Sequence, residues 1–221
     1  MRFPRYAFAL IIVSAMFAQD PPSGQRGGTP PPAAQQGGGR RGGGGRGGGG
    51  FQTMTLITTA WPDGGMIPLR YSQAGPEISP AIQWSGAPTA TTSFVLIFHD
   101  LDSTVPNSTD DLLHWMVWNI PATATGLAQG RPDGFELPDG SRQISASGSR
   151  YRGPGASATG PMHHYAMELY ALDTMLDVKV PVQGPQDPNP NPQSIRTVVM
   201  QAMAGHIRGK AVYLGVFRRP L

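Results

Sequence analysis

Carboxylates and an imidazole that lie close together in the sequence are the residues of this chain best suited to chemistry. Asp100 and Asp102 come just after an apolar segment at Phe94–Phe98, and His114 comes directly before a second one at Trp115–Ile120. If both segments are strands of one sheet, the end of one and the start of the other share a rim, and Asp100 and Asp102 face the same side. A carboxylate beside an imidazole holds one tautomer and favours its protonated form, which donates charge-assisted hydrogen bonds to anions. We therefore expect a concave anion-binding site at this rim.

A second polar cluster lies further along the chain. His163 and Tyr165 would share one face of a regular strand, with His164 on the other face. The run GPGASATGP, at residues 153–161, precedes them and exposes backbone amides without bulky side chains. Exposed amides beside a histidine can cradle an anion. This loop is therefore a second candidate element of the same site.

The apolar segments that would position these residues have the pattern of buried strands. Phe94–Phe98 and Trp115–Ile120 are short, rich in β-branched and aromatic residues, and bounded by turn residues. Further strands are predicted at Met54–Thr58, Met66–Tyr71, Gln143–Ala146, Tyr165–Leu172, Val178–Val180 and Ala211–Phe217. Proline and glycine separate them at short intervals, which predicts a mostly β fold of two packed antiparallel sheets, a β-sandwich.

One or two short peripheral helices complete the predicted fold, and one of them has a clear pattern. Ser194 is a good N-cap, and Gly205 supplies a left-handed C-terminal stop. The apolar residues that recur at helical spacing along one face are Ile195, Val198, Val199, Ala202 and Met203. A helix this short is stable mainly because its apolar face packs on a sheet.

The composition of the chain changes near residue 51. Six of its 17 basic residues but one of its 14 acidic residues precede that position, which leaves 11 basic against 13 acidic residues beyond it. The high isoelectric point therefore arises from the N-terminal part and does not indicate a basic, nucleic-acid-binding face on the folded part. Residues 19–50 are rich in glycine, arginine and proline and cannot bury apolar surface, so we expect a disordered linker. Residues 51–221 are enough for one domain with its own core.

Residues 1–18 have the pattern of a secretory signal peptide. Arg2 and Arg5 precede an apolar run that begins at Ala7–Val13, and small residues at Ala15 and Ala18 would allow cleavage. An uncleaved anchor is the alternative, although the run is short for a bilayer core of about 30 Å. The chain has no cysteine, so it has no disulfide framework and no thiolate chemistry. These features predict a periplasmic or secreted bacterial protein.

Six stretches in the same order give the folded part a specific resemblance. They are WPDGGMIPLRY, PEISPAIQWSGAP, HDLD with HWMVWNIP, LPDGSRQ, GPGASATGPMHHYAMELYALD and AMAGHIRGKAVYLGVFRR. Together they resemble the phosphatidylethanolamine-binding protein family, in its bacterial Raf-kinase-inhibitor-like branch. The sequence departs from that family at Asp100-Leu101-Asp102-Ser103-Thr104, where the family usually has Asp-Pro-Asp-Ala-Pro, and at His164, where it usually has arginine.

The resemblance implies two packed antiparallel sheets with a small pocket at one end, suited to a phosphate or phosphoryl head group. The pocket residues that it implies are Asp100, His114, Gly153, Pro154, His163 and Tyr165. Asp102 and Trp115 are expected to support them from behind, Asp102 as a residue that fixes the loop after Asp100.

Three classes of function remain open from the sequence. Our main expectation is a non-catalytic binder of small anionic or phosphorylated groups, whose partner is a lipid head group or a protein, with no nucleic acid, cofactor or metal. The second class is a metal-dependent hydrolase that uses Asp100, Asp102, His114 and His163, although no HExxH-type spacing supports it. The third is an interaction module that works through residues 19–50.

Enzymatic activity is not expected from the motifs present. The chain has neither a Gly-x-Ser-x-Gly elbow nor a cysteine nucleophile. Paired edge strands would allow a homodimer, but nothing in the sequence decides this.

Overall fold

Four long strands form the centre of a sheet that carries most of the residues discussed above. The computed structural model describes residues 51–179 and 191–221. Within these residues the larger sheet has six strands, in the order β1-β9-β8-β4-β5-β7, and the smaller sheet has three, in the order β2-β3-β6. The strands are β1 (Gln52–Thr53), β2 (Thr55–Ile57), β3 (Ile82–Ser85), β4 (Ser93–Thr104), β5 (Asp111–Pro121), β6 (Gly126–Leu127), β7 (Arg142–Ile144), β8 (His163–Leu172) and β9 (Ile207–Phe217).

The two sheets pack face to face, as the sequence predicts. Leu56, Ile82 and Trp84 of the smaller sheet share one apolar cluster with Phe94 and Leu96 of the larger sheet. Neighbouring strands within each sheet are antiparallel, except that the two-residue β1 pairs in parallel with β9. The predicted mostly β fold of two packed sheets is therefore confirmed.

A second apolar cluster lies on the other side of the larger sheet, beneath α1 (Pro192–Met203). Ile195, Val199 and Met203 of the helix are buried there, as their spacing predicts. The N-cap prediction is wrong: Asn191 caps the helix, and its side chain accepts from the amides of Gln193 and Ser194. The helix starts earlier than predicted because Pro192, which lacks an amide hydrogen, fits the first helical position.

Alternation along β4 sends neighbouring side chains to these two clusters. Phe98 lies in the cluster between the sheets, whereas Ile97 lies in the cluster beneath the helix. Because side chains alternate across a strand, His99 and Asp100 at the end of β4 also face opposite sides of the sheet.

A break in the pairing between β4 and β5 determines the face of the sheet to which His114 points. Phe98 pairs with Trp115 while His99 pairs with Leu113, so His114 is an extra residue in β5. Such a bulge lets two consecutive residues point to one face. The ring of His114 lies 5.8 Å from that of Phe98, on the side between the sheets, where Trp115 is also buried.

Two other strand predictions are wrong. Met66–Tyr71 is not a strand, since Met66 makes a single bridge to Val216 and a 3₁₀ turn follows at Leu69–Tyr71. Pro68, which cannot donate to a ladder, separates the two. Val178 is buried outside any strand, and Val180 lies outside the described residues.

The predicted signal peptide at residues 1–18 and the linker at residues 19–50 also lie outside the described residues. In the part of the chain that the structure describes, we find no helix with the length and apolar character needed to cross a membrane.

Candidate functional site

A half-open cavity of about 200 Å³ lies at the end of β4, β5 and β8. Its lining includes three of the predicted site residues, Asp100, His114 and His163. Gly155, Ala156 and Ser157 of the predicted loop also line it, and the remaining lining residues are Gln73, Ser103, Leu112 and Arg152. The predicted convergence of Asp100 and His114 on one hollow is thus present in the structure.

Asp100 is a buried carboxylate with three hydrogen-bond donors around it. Only 2% of its surface is exposed. Oδ1 accepts from the backbone amide of Asp102 at 3.0 Å, and Oδ2 accepts from Ser103 Oγ at 3.2 Å. Oδ2 also lies 2.8 Å from His163 Nδ1. These contacts fix the carboxylate and orient the His163 ring.

The tautomer of His114 follows from its surroundings. Nδ1 lies 2.9 Å from the carbonyl oxygen of Gly153 and 3.2 Å from that of Arg152. Because carbonyl oxygens only accept, Nδ1 carries a hydrogen and donates it. Nε2 is buried and finds no hydrogen-bond partner among the described residues, although Oδ2 of Asp100 lies 3.9 Å away. This nitrogen therefore has an unused capacity for a hydrogen bond.

The charged form of His114 is disfavoured by its surroundings at neutral pH. Burial lowers the pKa of the imidazole to about 4, and the nearby Asp100 carboxylate offsets only part of this effect. Asp100 favours the protonated form, as expected, but desolvation disfavours that form more strongly. A bound anion would add a second negative charge beside Nε2 and raise the pKa again.

The loop at residues 153–161 begins with a Gly-Pro segment. This segment holds His114 through a carbonyl group and does not present its amides to the cavity. The amide of Gly153 donates to Glu77 Oε1 at 3.0 Å, and the amide of Gly155 donates to the Tyr165 hydroxyl at 3.4 Å. A Cβ on Gly153 would lie 2.3 Å from the carbonyl oxygen of Tyr71, so only glycine fits there. Neither of these two amides is thus directed to a ligand, contrary to the expected anion cradle.

Pro154 also belongs to the framework of this loop. Its carbonyl oxygen accepts from the backbone amide of Gln73 at 3.0 Å, and the Gln73 side chain donates to the Gly153 carbonyl at 2.7 Å. Gln73 therefore stabilises this loop through two hydrogen bonds. The Gly153 carbonyl that orients His114 accepts one of them as well as the bond from His114.

Tyr165 and Trp115 lie behind the cavity, where they are fully buried. The ring of Tyr165 packs edge-on against His114 with centroids 5.2 Å apart. Burial, together with the nearby Asp100 carboxylate, raises the pKa of its hydroxyl. Trp115 Nε1 donates to Gln143, and its ring packs against Tyr151. Both residues act as supporting wall, which agrees with the expectation for Trp115 but not with a ligand contact by the Tyr165 ring.

Asp102 supports Asp100 through its backbone and not through its side chain. Its carboxylate accepts from the His164 amide at 2.5 Å and lies 2.9 Å from His164 Nδ1. These contacts, with the backbone bond first in importance, lower the pKa of Asp102. The expectation that Asp100 and Asp102 face one side is wrong, because the pairing of β4 becomes irregular after Asp100. The residue does fix the loop, as expected, but against β8.

Two lining residues outside the predicted site residues, Ser103 and Arg152, stand next to predicted ones. Ser103 lies three residues after Asp100, at the spacing of a local side-chain turn. Arg152 directly precedes Gly153, and its Nε is buried without a partner in the described structure, while its Nη1 donates to Ser147. Across residues 51–179 and 191–221, no group of three or more His, Cys, Asp or Glu side chains is arranged to hold a metal ion.

Comparison with known proteins relates the part of the chain that contains this cavity to a known family. The family model for phosphatidylethanolamine-binding protein matches residues 57–218. The UPF0098 protein of Methanothermobacter thermautotrophicus is 39% identical over 168 residues, which are 75% of this chain and 99% of that protein. A crystal structure from Chlamydia trachomatis, described as a candidate phosphatidylethanolamine-binding protein homologue, is 28% identical with a TM-score of 0.59 and covers 76% of this chain and 99% of its own.

One relative carries a name that concerns location. LppC of Mycobacterium tuberculosis, named as a candidate lipoprotein, is 27% identical over 169 residues, which are 75% of this chain and 73% of that protein.

Proposed function

Because the chain belongs to the phosphatidylethanolamine-binding protein family, we propose that it binds a small phosphorylated or otherwise anionic group in the cavity at Asp100 and His114. The observation that carries this proposal is a pair of buried nitrogens, His114 Nε2 and Arg152 Nε, that have no hydrogen-bond partner within residues 51–179 and 191–221 and belong to residues that line one cavity. A buried polar atom without a partner costs free energy, which a suitable ligand would recover.

The anion would enter a site whose charge changes on binding. Without a second charge beside it His114 is neutral at neutral pH, since burial lowers its pKa to about 4. An anion beside Nε2 favours the imidazolium, which then donates a charge-assisted hydrogen bond while Asp100 balances part of its charge. Binding is therefore coupled to proton uptake, and affinity increases as the pH falls toward the pKa of the free site.

We further propose that the site binds without covalent catalysis. Ser103 Oγ lies 3.4 Å from His163 Nδ1, the same nitrogen that faces Asp100 at 2.8 Å. A serine nucleophile needs the opposite nitrogen of the imidazole, so that the carboxylate can orient the base from behind. The hydroxyl of Ser103 also donates to Asp100, which makes it a support for the carboxylate.

Export from the cytoplasm is part of the proposal and has separate support. The first 18 residues have the pattern of a signal peptide, and a relative from Mycobacterium tuberculosis is named as a candidate lipoprotein. Fractionation of the native host would test it: the proposal requires the mature chain outside the cytoplasmic fraction.

Calorimetric titration with inorganic phosphate and with phosphoethanolamine tests the binding site. His114→Asn is the informative variant, because an Asn amide can still donate to Gly153 while Nε2 is removed. We expect its affinity for phosphate to fall about tenfold or more, the usual effect of losing a charge-assisted hydrogen bond.

The matched control is His206→Asn. His206 Nδ1 lies 2.8 Å from Asp173 at the surface, so this change also removes an imidazole beside a carboxylate. Its phosphate affinity should equal that of the wild type. Equal losses in both variants, or no binding by the wild type, would contradict the proposal.

A further inference from the structure

A second polar cavity, of about 290 Å³, lies where three segments of the chain meet, at residues 76–79, 130–133 and 150–151. It shares no lining residue with the cavity at Asp100 and His114, so the two are separate. Its volume is near the lower end, about 300 Å³, of the range found for small-molecule sites. We call it the charged cavity, after the side chains described below.

Hydrogen bonds between the three segments fix the walls of the charged cavity. The carbonyl oxygen of Ser79 accepts from the Gly130 amide at 2.9 Å, and the Ser79 hydroxyl accepts from the Arg131 amide at 2.9 Å. Tyr151 is buried, and its hydroxyl donates to the carbonyl oxygen of Tyr71 at 2.8 Å. A ligand would therefore meet side chains on a backbone that is already held in place, which lowers the entropic cost of binding.

Side chains of both charges line this cavity without pairing with one another. Two are guanidinium groups, Arg131 and Arg150, and two are carboxylates, Glu77 and Asp133. In the part of the chain that the structure describes, Arg131 pairs with Asp139 instead, at 3.1 Å, and Arg150 is in no ion pair. Arg131 Nε is buried and has no hydrogen-bond partner among the same residues. The cavity therefore offers unused donors and acceptors to a ligand that carries both charges.

Glu77 has a backbone conformation that is uncommon outside glycine. Its φ is 57°, and residues held in this region often lie at ligand sites. One carboxylate oxygen, Oε1, accepts from the Gly153 amide at 3.0 Å, whereas Oε2 accepts no hydrogen bond from the residues that the structure describes. Glu77 can therefore meet a cation with Oε2 while Oε1 holds Gly153.

We propose that the charged cavity binds a small zwitterion with one carboxylate and one ammonium group, as in a free amino acid. Arg131 and Arg150 receive the carboxylate through charge-assisted hydrogen bonds, and Glu77 and Asp133 receive the ammonium. A simple anion is a poorer occupant because the two carboxylates repel it, and a simple cation is poorer because the two arginines repel it. This ligand differs from the phosphorylated group proposed for the other cavity, so the inference goes beyond that function and does not depend on it.

Titration of the full chain with L-glutamine, followed through the amide NMR shifts of the protein, tests the site. Glutamine is the probe because its short polar side chain suits a polar cavity. We expect saturable shifts at residues 130–133 and 150–151. N-acetyl-L-glutamine lacks the ammonium group, and L-glutamine amide lacks the carboxylate. Each should bind about tenfold more weakly, the usual effect of losing a charge-assisted hydrogen bond.

Two substitutions in the lining test the two charges separately. Arg150→Gln should weaken glutamine binding about threefold, a modest effect because this side chain is open to water. Asp133→Asn should weaken it about as much, but should strengthen binding of N-acetyl-L-glutamine, because one source of repulsion is gone. The matched controls are Arg218→Gln and Asp177→Asn, which change exposed residues outside this cavity and should bind glutamine like the wild type.

His114→Asn distinguishes the two cavities. Glutamine binding that this variant keeps, and that Arg150→Gln weakens, supports the inference. The inference is overturned if glutamine does not bind saturably, or if N-acetyl-L-glutamine binds as well as glutamine, which would indicate a site for simple anions. It is also overturned if His114→Asn abolishes glutamine binding while Arg150→Gln leaves it unchanged, because the ligand would then occupy the other cavity. The phosphate affinity of the wild type does not enter any of these outcomes, so the proposed function is tested separately.

Discussion

Neighbouring residues near the end of β4, His99 and Asp100, lie in two polar clusters on opposite sides of the same sheet. On the outer side, His99 Nδ1 lies 2.5 Å from Asp111, and Arg196 Nη1 of the helix lies 2.5 Å from the same carboxylate. Lys210 Nζ lies 2.6 Å from Glu168, whose other oxygen is 3.7 Å from His99. We call these residues the outer cluster.

The outer cluster is neutralised by fixed charges. Burial raises the pKa of Asp111, but hydrogen bonds from His99 and Arg196 outweigh it, and the net pKa lies below the ordinary value. Glu168 behaves in the same way through Lys210 and Tyr170. Both carboxylates thus stay ionised, each beside one partner that is charged throughout the neutral range, Arg196 for Asp111 and Lys210 for Glu168.

The cavity cluster of Asp100, Ser103, His114 and His163 has a different composition. Its one carboxylate faces two imidazoles and a hydroxyl, and the charge on an imidazole depends on pH and on what binds. The comparison indicates that a polar cluster closed by arginine and lysine joins elements of the fold, whereas one closed by histidine beside an open cavity can respond to a ligand.

The largest expected effect concerns stability and the outer cluster. Arg196→Met would leave the Asp111 carboxylate half-buried beside His99 without its fixed cation. We expect a loss of roughly 2–3 kcal/mol, less than for a fully buried pair because Asp111 keeps some contact with water. Urea unfolding measures this loss, and phosphate affinity should not change.

Arg208→Met is the control for that substitution. Arg208 contacts Asp173 at the surface, so its removal should change stability little. Equal destabilisation by both substitutions would show that the outer cluster has no special role in joining the helix to the sheet.

The next largest effect is a loss of folding stability in acid, which His114 causes. Folding lowers the pKa of His114 to about 4, so the unfolded chain takes up the proton first and stability is lost as the pH falls below the unfolded value of about 6.5. This contribution amounts to about 2 kcal/mol between about pH 7 and about pH 5.

His114→Asn removes this contribution while leaving the carboxylates in place. The difference in unfolding free energy between wild type and variant, measured in urea at both pH values, should therefore shrink or reverse in acid. A difference that does not depend on pH would mean that His114 is not held neutral in the folded protein.

Asp100 gives a third and smaller effect, and its sign is informative. Asp100→Asn keeps the shape of the side chain but removes the negative charge that balances an imidazolium during binding. We expect phosphate to bind up to about tenfold more weakly. Tighter binding would show that repulsion between Asp100 and the anion outweighs its support of the imidazoles; Asp111→Asn in the outer cluster is the control and should leave affinity unchanged.

The smallest effect concerns Glu77, which positions His114 from a distance. Glu77 has a φ of 57° and accepts from the Gly153 amide, and Gly153 in turn orients the imidazole. Glu77→Ala should weaken phosphate binding about threefold, in line with the loss of one hydrogen bond. Glu77→Gln, which can still accept that bond, should bind nearly as the wild type; if the two variants behave alike, the contact does not position His114.

The parts of the site that the sequence predicts are those set by local pattern. The apolar runs at Phe94–Phe98 and Trp115–Ile120 identify two neighbouring strands, and their polar ends at Asp100 and His114 therefore meet. The alternation of His163 and His164 on one strand is likewise readable from the two-residue period.

The parts that the sequence does not predict depend on contacts between distant residues. The bulge that turns His114 toward Asp100 is a break in the pairing of β4 with β5. No residue type near position 114 predicts a bulge there. Glu77 and Gly153 are 76 positions apart, so their bond cannot be inferred from spacing. The neutral state of His114 was also missed, because it depends on how deeply the fold buries the ring.

The central claim is that an anion binds beside His114 and makes it take up a proton. Counting the protons taken up on anion binding tests this claim most directly. Sulfate does not titrate near neutral pH, so calorimetry of sulfate binding at about pH 6, in two buffers with different ionisation enthalpies, counts the protons that the protein takes up. We expect the wild type to take up as much as about one proton per sulfate bound, and we expect His114→Asn to lose this uptake. Binding of sulfate without proton uptake, or with equal uptake by both proteins, would contradict it.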